Sequence, residues 1–383
     1  MPRAAATECS SGHPAWVLLD TPARIGPCEN ATTARAQTSA GHGIAVSFSV
    51  TRPPAAGLSR CFVHCPGLTA EDFIGQPRVT GADGALLLIR VTFAAAADSH
   101  AAHGESRNLT DIFAYRAGPG EPSLHLLPRP YPIGIYSGDA VGALSRGGEH
   151  HHRLLIVVPE ERFDGHGRMY YDLQVFSSET MSWSTRAAAV AVDGESDYDL
   201  MVMHEPDKVV AVGGAWLAWI DLRLGVLLCN VADDDELPAE MRLIQLPSLL
   251  RTNRLGFQEF DGAVPPLRCI RDVTCRESDG LMMRLIEIEY PELMDDDSDI
   301  WDGEKLTLDK VISSSPTLDL YNDDVFYVMA KLSAEDSDGW VLAVNARDRT
   351  LENVVPFASK EFDFQPTYQQ CAFSKHLSLP SSF

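Results

Sequence analysis

Short apolar runs separated by turn-forming residues dominate the chain. The clearest case is AWLAWIDLRLGVLLCNV, residues 215–231, in which two apolar runs flank a short polar interruption. A membrane-spanning helix requires about 20 consecutive apolar residues, and here Asp221 and Arg223 fall in the middle of the segment. The pattern therefore excludes a membrane span at this position.

The same segment is better read as two strands than as a buried helix. A helix would have to contain Gly213, Gly214 and Gly225, which weaken helices, together with β-branched and aromatic residues that favour strands. Two strands at Trp216–Ile220 and Val226–Val231, with Gly225 completing the turn, place each residue where its backbone preference fits. The pattern predicts a β-hairpin with Gly225 at positive φ.

The order of strand, turn and strand recurs along the whole chain. The ends of the second strands fall at intervals of about 55–65 residues, a period typical of propellers and other repeat folds. These ends are Val50, Tyr115, Phe176, Val231, Ile288 and Val344. The repeats predict an all-β protein, a single-domain β-propeller with six blades, and two packed β-sandwiches remain the alternative.

Domain boundaries follow from the same pattern. Residues 1–13 are small and polar and are expected to be disordered, and residues 14–383 are expected to form the repeat domain. Helix signals are few, since Pro247 interrupts the one candidate at residues 238–254. The 383 residues, 45% hydrophobic and 22% charged, have an ordinary globular composition.

The net charge of the chain limits the classes of binding partner that are expected. The chain has 31 Lys and Arg residues against 54 Asp and Glu residues, a formal net charge of −23. Binding to nucleic acid or to an anionic membrane surface depends on clustered Lys and Arg, so neither is an expected partner. The acidic runs at residues 233–236 and 295–299 are expected to be solvated loops.

Cysteine usage and the amino terminus indicate a compartment. Eight cysteines without dense or regular spacing do not form a disulfide framework. The first 20 residues lack the continuous apolar segment of a signal peptide. The expected location is therefore the cytoplasm or the nucleus.

Three segments were considered as metal sites, and none has a complete set of ligands. Cys61, His64 and Cys65 have no second ligand pair at a matching spacing, as a zinc site would require. The run His150–His152 stands in a predicted exposed turn with no partner. The acidic segment that begins at Asp295 lacks the Gly and Glu of a calcium loop. No metal site is predicted.

Motifs for catalysis and for cofactors are missing as well. The chain contains no G-x-S-x-G elbow, no P-loop and no G-x-G-x-x-G motif that opens a helix. Trp216 and Trp219 lie three residues apart and are expected on opposite faces of one strand, in the core. Trp301, in an acidic loop, is the candidate for an exposed binding aromatic. No catalytic residue, no cofactor and no enzymatic activity are predicted.

Three segments carry a resemblance to a known family. They are WVLLD at Trp16–Asp20, the hairpin at Trp216–Val231 and FQPTYQQCAFSKHL at Phe364–Leu377. With these segments the chain resembles, over nearly its whole length, the grass-plant family known as domain of unknown function 1618 (DUF1618). The family usually has Asp after the cysteine equivalent to Cys229, where this chain has Asn230.

The repeated β fold, the acidic loops and the missing catalytic motifs favour a binding function. Some members of the family resemble the substrate-recognition half of F-box proteins, but the first 50 residues here lack the helical pattern of an F-box. The expected function is a non-enzymatic intracellular protein-interaction scaffold, a plant regulatory or stress-related adaptor with a protein partner. The alternative is an enzyme or small-molecule binder with its site at the centre of the β ring, which an inward-facing cluster of carboxylates and histidines would favour.

Overall fold

A computed structural model gives the fold. It describes residues 14–51, 58–94, 109–118, 120–136, 140–147, 153–191, 194–231, 239–254, 266–277, 281–289, 312–332, 336, 338–358 and 368–377. The segments at residues 1–13, 150–152, 233–236 and 295–306, which the sequence analysis singled out, lie outside the described residues, as does Trp301.

Strands make up most of the described chain, so the all-β prediction is confirmed. In the first half they are β1 Val17–Ile25, β2 Ala34–Gln37, β3 Gly43–Ser49, β4 Ser59–His64, β5 Arg78–Asp83, β6 Leu86–Phe93, β7 Leu109–Arg116, β8 Ser123–Leu126, β9 Gly142–Arg146, β10 Arg153–Phe163, β11 Met169–Ser177 and β12 Ser182–Ala191. In the second half they are β13 Lys208–Gly213, β14 Trp216–Asp221, β15 Gly225–Asn230, β16 Ala239–Gln245, β17 Arg271–Glu277, β18 Leu281–Glu287, β19 Ile312–Leu318, β20 Val325–Lys331, β21 Asp338–Asn345, β22 Thr350–Ala358 and β23 Tyr368–Cys371.

Helical structure is confined to short segments. The α-helix α1 spans Glu195–Val202, and 3-10 turns occur at Ala70–Asp72, Ile133–Tyr136, Leu267–Cys269 and Phe373–His376. The candidate helix at residues 238–254 divides where Pro247 predicts an interruption: β16 precedes the proline, and only residues 251–254 after it are helical. No helix among the described residues is long and apolar enough to cross a bilayer.

The predicted repeats correspond to antiparallel meanders. Strands β5–β8, β9–β12, β13–β16 and β19–β22 each form four neighbouring strands in sequence order. The remaining pair, β17–β18, forms a two-stranded sheet within the described residues. Each unit buries apolar side chains on both faces, which explains the long apolar runs in the sequence.

Two of the meanders merge into larger sheets. Strand β12 pairs in parallel with β16, which joins β9–β12 and β13–β16 into one eight-stranded sheet, and β1 joins β2–β4 to β5–β8 in a nine-stranded sheet. Both sheets curl, so that β2 contacts β8 and β13 contacts β9. The number of blades stays a prediction.

The two ends of the described chain meet in one strand pair. Strand β1 pairs antiparallel with β23, from Val17 opposite Cys371 to Asp20 opposite Tyr368. The Ser374 hydroxyl also donates to the Pro14 carbonyl oxygen over 2.8 Å. Strands β1 and β23 are therefore neighbours in space, although about 350 residues separate them along the chain.

The hairpin predicted from residues 216–231 is confirmed as β14 and β15. Its turn is held by Asp221, whose Oδ1 accepts the backbone N–H groups of Arg223 and Leu224 at 2.8 and 2.9 Å. Such side-chain bonds to a following backbone are the usual reason for Asp in turns.

The predicted positive φ at Gly225 is wrong, since positive φ occurs at Gly213 and Gly214 in the preceding turn. The physical need for glycine at 225 is a close backbone approach. A Cβ there would lie 2.6 Å from the Ile244 carbonyl oxygen.

The two hairpin tryptophans lie on opposite faces, as predicted. Trp219 is 1% exposed, packs with Leu217 and Leu227, and donates its indole N–H to the Ala140 carbonyl oxygen at 2.8 Å. Trp216 packs on the other face, in the cluster that contains Ile270. One sheet therefore separates two apolar layers, each shared with a neighbouring unit.

Candidate functional site

A cavity of about 550 Å³ opens between strands that are far apart in sequence. Its walls come from β5, β13, β17, β19 and β23, with Thr21 of β1. Four of these strands are the first strands of their units, and contacts join β5 to β13, β13 to β17 and β17 to β19. The volume falls within the range of about 300–1,000 Å³ that is typical of ligand sites.

The charge of the cavity is opposite to that of the chain. Seven basic residues line it, namely Arg78, Arg90, Lys208, Arg268, Arg271, Arg276 and Arg284. The four acidic residues that line it are Asp83, Glu205, Asp207 and Asp272. In the whole chain, acidic residues outnumber basic ones by 54 to 31. The cavity therefore concentrates positive charge within a strongly negative protein.

Arg271 is fixed by its surroundings. It is 1% exposed, and its guanidinium donates to the carbonyl oxygens of Leu222 at 2.8 Å and Pro247 at 2.5 Å. Its Nε lies 3.5 Å from a carboxylate oxygen of buried Glu287. Burial lowers the pKa of Arg271, and the charge of Glu287 opposes this shift. Arg271 is thus a structural element of the cavity wall.

Two further arginines share one carboxylate. Arg276 donates to Asp323 at 2.6 Å, and Arg284 lies 3.2 Å from the other oxygen of the same carboxylate. Arg284 also donates to the Asn322 carbonyl oxygen at 3.2 Å. The Nε atoms of Arg276 and Arg284 are buried and have no hydrogen-bond partner among the described residues. Unpaired buried donors are rare in folded proteins and often mark an unseen water or ligand.

An ion pair and a backbone hydrogen bond connect three strands of the cavity wall. Lys208 of β13 donates to Asp272 of β17, and the other oxygen of Asp272 accepts the backbone N–H of Leu318 in β19 at 3.0 Å. Both charged groups are largely buried, and each compensates the desolvation of the other. The pair gives the cavity a rigid wall.

Arg78 and Arg90 differ from the arginines just described. They are directly opposed in the antiparallel ladder of β5 and β6. Arg78 is exposed, and its side chain forms no hydrogen bond or ion pair with any residue that the structure describes. Arg90 donates to the Tyr136 carbonyl oxygen. Two guanidinium groups therefore lie side by side at this edge of the cavity.

The wall at β19 contains a bulge. The pairing with β20 shifts between Ser314 and Thr317, and Ser315, which is not glycine, has φ of 57°. The Tyr368 hydroxyl donates to the Ser315 carbonyl oxygen, and the Thr317 hydroxyl donates to the Tyr368 oxygen at 3.1 Å. Bulges and left-handed residues of this kind are enriched beside functional sites.

An exposed aromatic side chain stands at the edge of the cavity. Tyr321 is 53% exposed, and the Lys375 ammonium lies 5.9 Å from its ring centre and donates to its hydroxyl at 3.4 Å. The pKa of nearby Asp83 is raised by burial, and the charge of Lys375 opposes that shift. This edge therefore combines an aromatic face with charges of both signs.

The described lining of the cavity contains few groups that could act as a base or a nucleophile. No histidine is among the described residues that line the cavity. Cys275 lines it, but burial raises the pKa of its thiol to about 11, so the thiolate needed for nucleophilic attack is scarce at neutral pH. The described lining therefore combines four carboxylates and seven basic side chains with no histidine, and its wall is polar rather than plainly apolar.

The cysteines considered for zinc lie elsewhere. Cys61 is buried within β4 and Cys65 directly after it, and burial raises the pKa of both thiols, that of Cys65 to about 11. Within the described ranges, no group of three or more His, Cys, Asp and Glu side chains has the geometry to hold a metal ion. The absence of a metal site in the whole chain stays a prediction.

No residue of the cavity lining was predicted as a site residue from the sequence. One signal was available, since the first strands of three units begin with a basic residue: Arg78, Lys208 and Arg271. That regularity is visible only once the first strands are placed, and the apolar pattern alone located the longer inner hairpins.

Comparison with known proteins identifies one segment. Residues 219–319 match the family described as Protein of unknown function (DUF1618). The DUF1618 resemblance is confirmed. The match begins in β14 at Trp219 and ends just after β19, so it includes β17 and part of the cavity wall. Trp16–Asp20 and Phe364–Leu377, the other two segments that carry the resemblance, lie outside the matched range. No curated protein and no solved structure matches the chain.

Proposed function

We propose that this DUF1618-like chain is a non-enzymatic protein-interaction scaffold whose binding site is the cavity. The observation that carries this proposal is the basic surplus of the lining, seven residues against four, within a chain of net charge −23. A positive site surrounded by negative surface attracts an acidic partner and repels basic ones. An acidic segment of a partner protein is therefore the proposed ligand.

The proposed binding site fits either of two arrangements of the strand units. Four-stranded meanders whose first strands surround one cavity, with β1 and β23 joining the chain ends, support a six-bladed ring. The parallel pairing of β12 with β16 merges two units into one sheet, and this supports the alternative of two packed sandwiches. In either arrangement the cavity is built from distant segments. The proposed setting, a regulatory adaptor in the cytoplasm or nucleus, rests on the sequence alone.

Filling the cavity tests the proposed binding site. Thr80 is half-buried in the cavity wall, and Thr350 is exposed at the start of β22, away from the cavity. Thr80→Trp and Thr350→Trp therefore add the same indole at a lining and a non-lining position. Affinity capture from extracts of the source tissue, repeated with purified candidates, should give partners that bind the wild type and Thr350→Trp but not Thr80→Trp. Equal capture by both variants would exclude the cavity as the partner site.

A small-molecule binder is the second candidate. It is favoured by the cavity volume of about 550 Å³, which suits a ligand of modest size. Native mass spectrometry of the purified protein distinguishes it from the scaffold. A stoichiometric small ligand that is missing from Thr80→Trp would favour the small-molecule function over the scaffold.

A further inference from the structure

The β5–β6 edge of the cavity places two guanidinium groups side by side. Arg78 and Arg90 are cross-strand partners, and both line the cavity. Directly opposed residues in an antiparallel pair have Cα atoms only about 4.5–5.5 Å apart, so the two positive charges are close. The side chain of Arg78 meets no carboxylate within the described part of the chain. The repulsion between the two arginines is therefore not offset on the Arg78 side.

We infer that Arg78 and Arg90 form a recognition site for an oxyanion, the phosphate or carboxylate group of a ligand. This inference rests on the proposed binding function of the cavity. A guanidinium donates two parallel N–H groups to such an anion, and two neighbouring guanidinium groups match the several oxygens of a phosphate or a pair of carboxylates. A bound anion also removes the repulsion between the two arginines.

The surroundings hold the two arginines in place. The Tyr136 carbonyl oxygen accepts a hydrogen bond from Arg90, which holds this guanidinium beside Arg78. Beside Arg78, Pro22 of β1 pairs with it in the ladder and restricts the backbone. The ladder shifts register between Val79 and Gly81, directly after Arg78, and such bulges re-aim neighbouring side chains.

The other arginines of the cavity have different tasks. Arg271 is bound to two carbonyl oxygens, and Arg276 and Arg284 share Asp323. They keep the cavity positive and are held by acceptors of the protein, although the Nε atoms of Arg276 and Arg284 have no hydrogen-bond partner among the described residues. We therefore assign recognition of the oxyanion to the β5–β6 edge. The positive charge of the whole cavity attracts the anion over a longer range.

Calorimetric titration with inorganic phosphate tests the inference on the full chain. The ionic strength is held constant with NaCl at about 0.15 M, where exposed charges farther apart than about 8 Å are largely screened. The variants are Arg78→Gln, Arg78→Lys and the control Arg347→Gln. Arg347 is an exposed arginine outside the cavity that pairs with Asp324 at 3.1 Å.

We expect saturable binding of phosphate to the wild type and to Arg347→Gln, with at least about tenfold weaker binding to Arg78→Gln. Arg78→Lys keeps the charge but loses the paired donors, so its affinity should lie between the two. The denaturation midpoint of Arg78→Gln should be equal to or above that of the wild type, because a repulsion is removed. Equal affinity of all variants, or no saturable binding, would overturn the inference.

Competition identifies the source of the oxyanion. A synthetic Glu-rich peptide that displaces phosphate from the wild type, but does not bind Arg78→Gln, supports carboxylates of a partner protein. Phosphate binding that the peptide does not affect supports a phosphate-bearing small molecule. Thr80→Trp separates this inference from the proposed function: lost partner capture without any phosphate binding to the wild type overturns only the oxyanion site.

Discussion

Gly225 offers the sharpest test of the hairpin at the start of the DUF1618 match. A Cβ added here would lie 2.6 Å from the carbonyl oxygen of Ile244, 3.3 Å from its carbonyl carbon and 3.4 Å from the Cα of Gln245. All three are backbone atoms, so no side chain can rotate away. Gly225→Ala therefore has to separate β15 from β16 where Gly225 pairs with Gln245.

The expected cost follows from these contacts. Overpacking a filled site costs about 1–3 kcal/mol, and each ladder hydrogen bond that is weakened adds about 1 kcal/mol. We expect Gly225→Ala to lower the free energy of unfolding by about 2–4 kcal/mol. Gly225→Val should cost at least as much, although the backbone φ at this position is not positive.

Gly165→Ala is the matched control. Gly165 lies in the exposed turn between β10 and β11, and a Cβ there would have no atom within 4 Å. Its substitution should change the free energy of unfolding by less than about 0.5 kcal/mol. Urea denaturation followed by circular dichroism measures both variants. If Gly225→Ala has the wild-type midpoint, β15 and β16 do not approach as described, and the reasoning is refuted.

Three further predictions concern buried groups. Arg271→Met should lower the free energy of unfolding by about 3–5 kcal/mol in urea titrations, because it leaves Glu287 buried without its partner; a neutral result would show that Glu287 is solvated. Burial lowers the pKa of His204, so the unfolded chain binds the proton more readily. Stability should fall as pH drops through about 6.5 towards the lower folded-state pKa, and His204→Gln should flatten this part of a pH series of denaturation midpoints. In native protein, a thiol reagent should label half-buried Cys28 well before buried Cys61, whose pKa burial raises; equal rates, compared by mass spectrometry, would contradict the described core.

The hairpin could be predicted because its determinants are local. Two apolar runs, an Asp that binds the following N–H groups and a Gly in close contact with a neighbouring strand all lie within residues 216–231. The reason given for Gly225 was nevertheless wrong. A positive φ is a property of the turn itself, whereas the approach of Ile244 involves a third strand that sequence periodicity does not place.

Four of the six predicted units correspond to four-stranded meanders, but the strands within them were wrongly numbered. Tyr115, Phe176 and Val344 lie in the third strands of their meanders rather than the second. The first strands were missed because some, such as β9 with the sequence GALSR, are short and weakly apolar. Three of the missed first strands, β5, β13 and β19, line the cavity, so the site built from them could not be predicted.

The cavity itself had no local signature in the sequence. Arg78, Lys208 and Arg271 lie in three different units, and nothing near any of them distinguishes it from an ordinary surface charge. Their convergence depends on how the units are arranged around the cavity, which propensity and periodicity do not specify. The net charge of −23 argued against an anion-binding site, because a sum over the whole chain does not show a local excess of basic residues.

The location of a bound oxyanion would show directly whether the β5–β6 edge of the cavity recognises anions. Crystals of the full chain soaked in sodium tungstate, a phosphate-like anion with a strong anomalous signal, would show where the protein holds such a group. We expect an anomalous peak within hydrogen-bond distance of the Arg78 guanidinium in wild-type crystals, and its loss in crystals of Arg78→Gln. Peaks confined to surface arginines such as Arg347, with an empty β5–β6 edge, would contradict it.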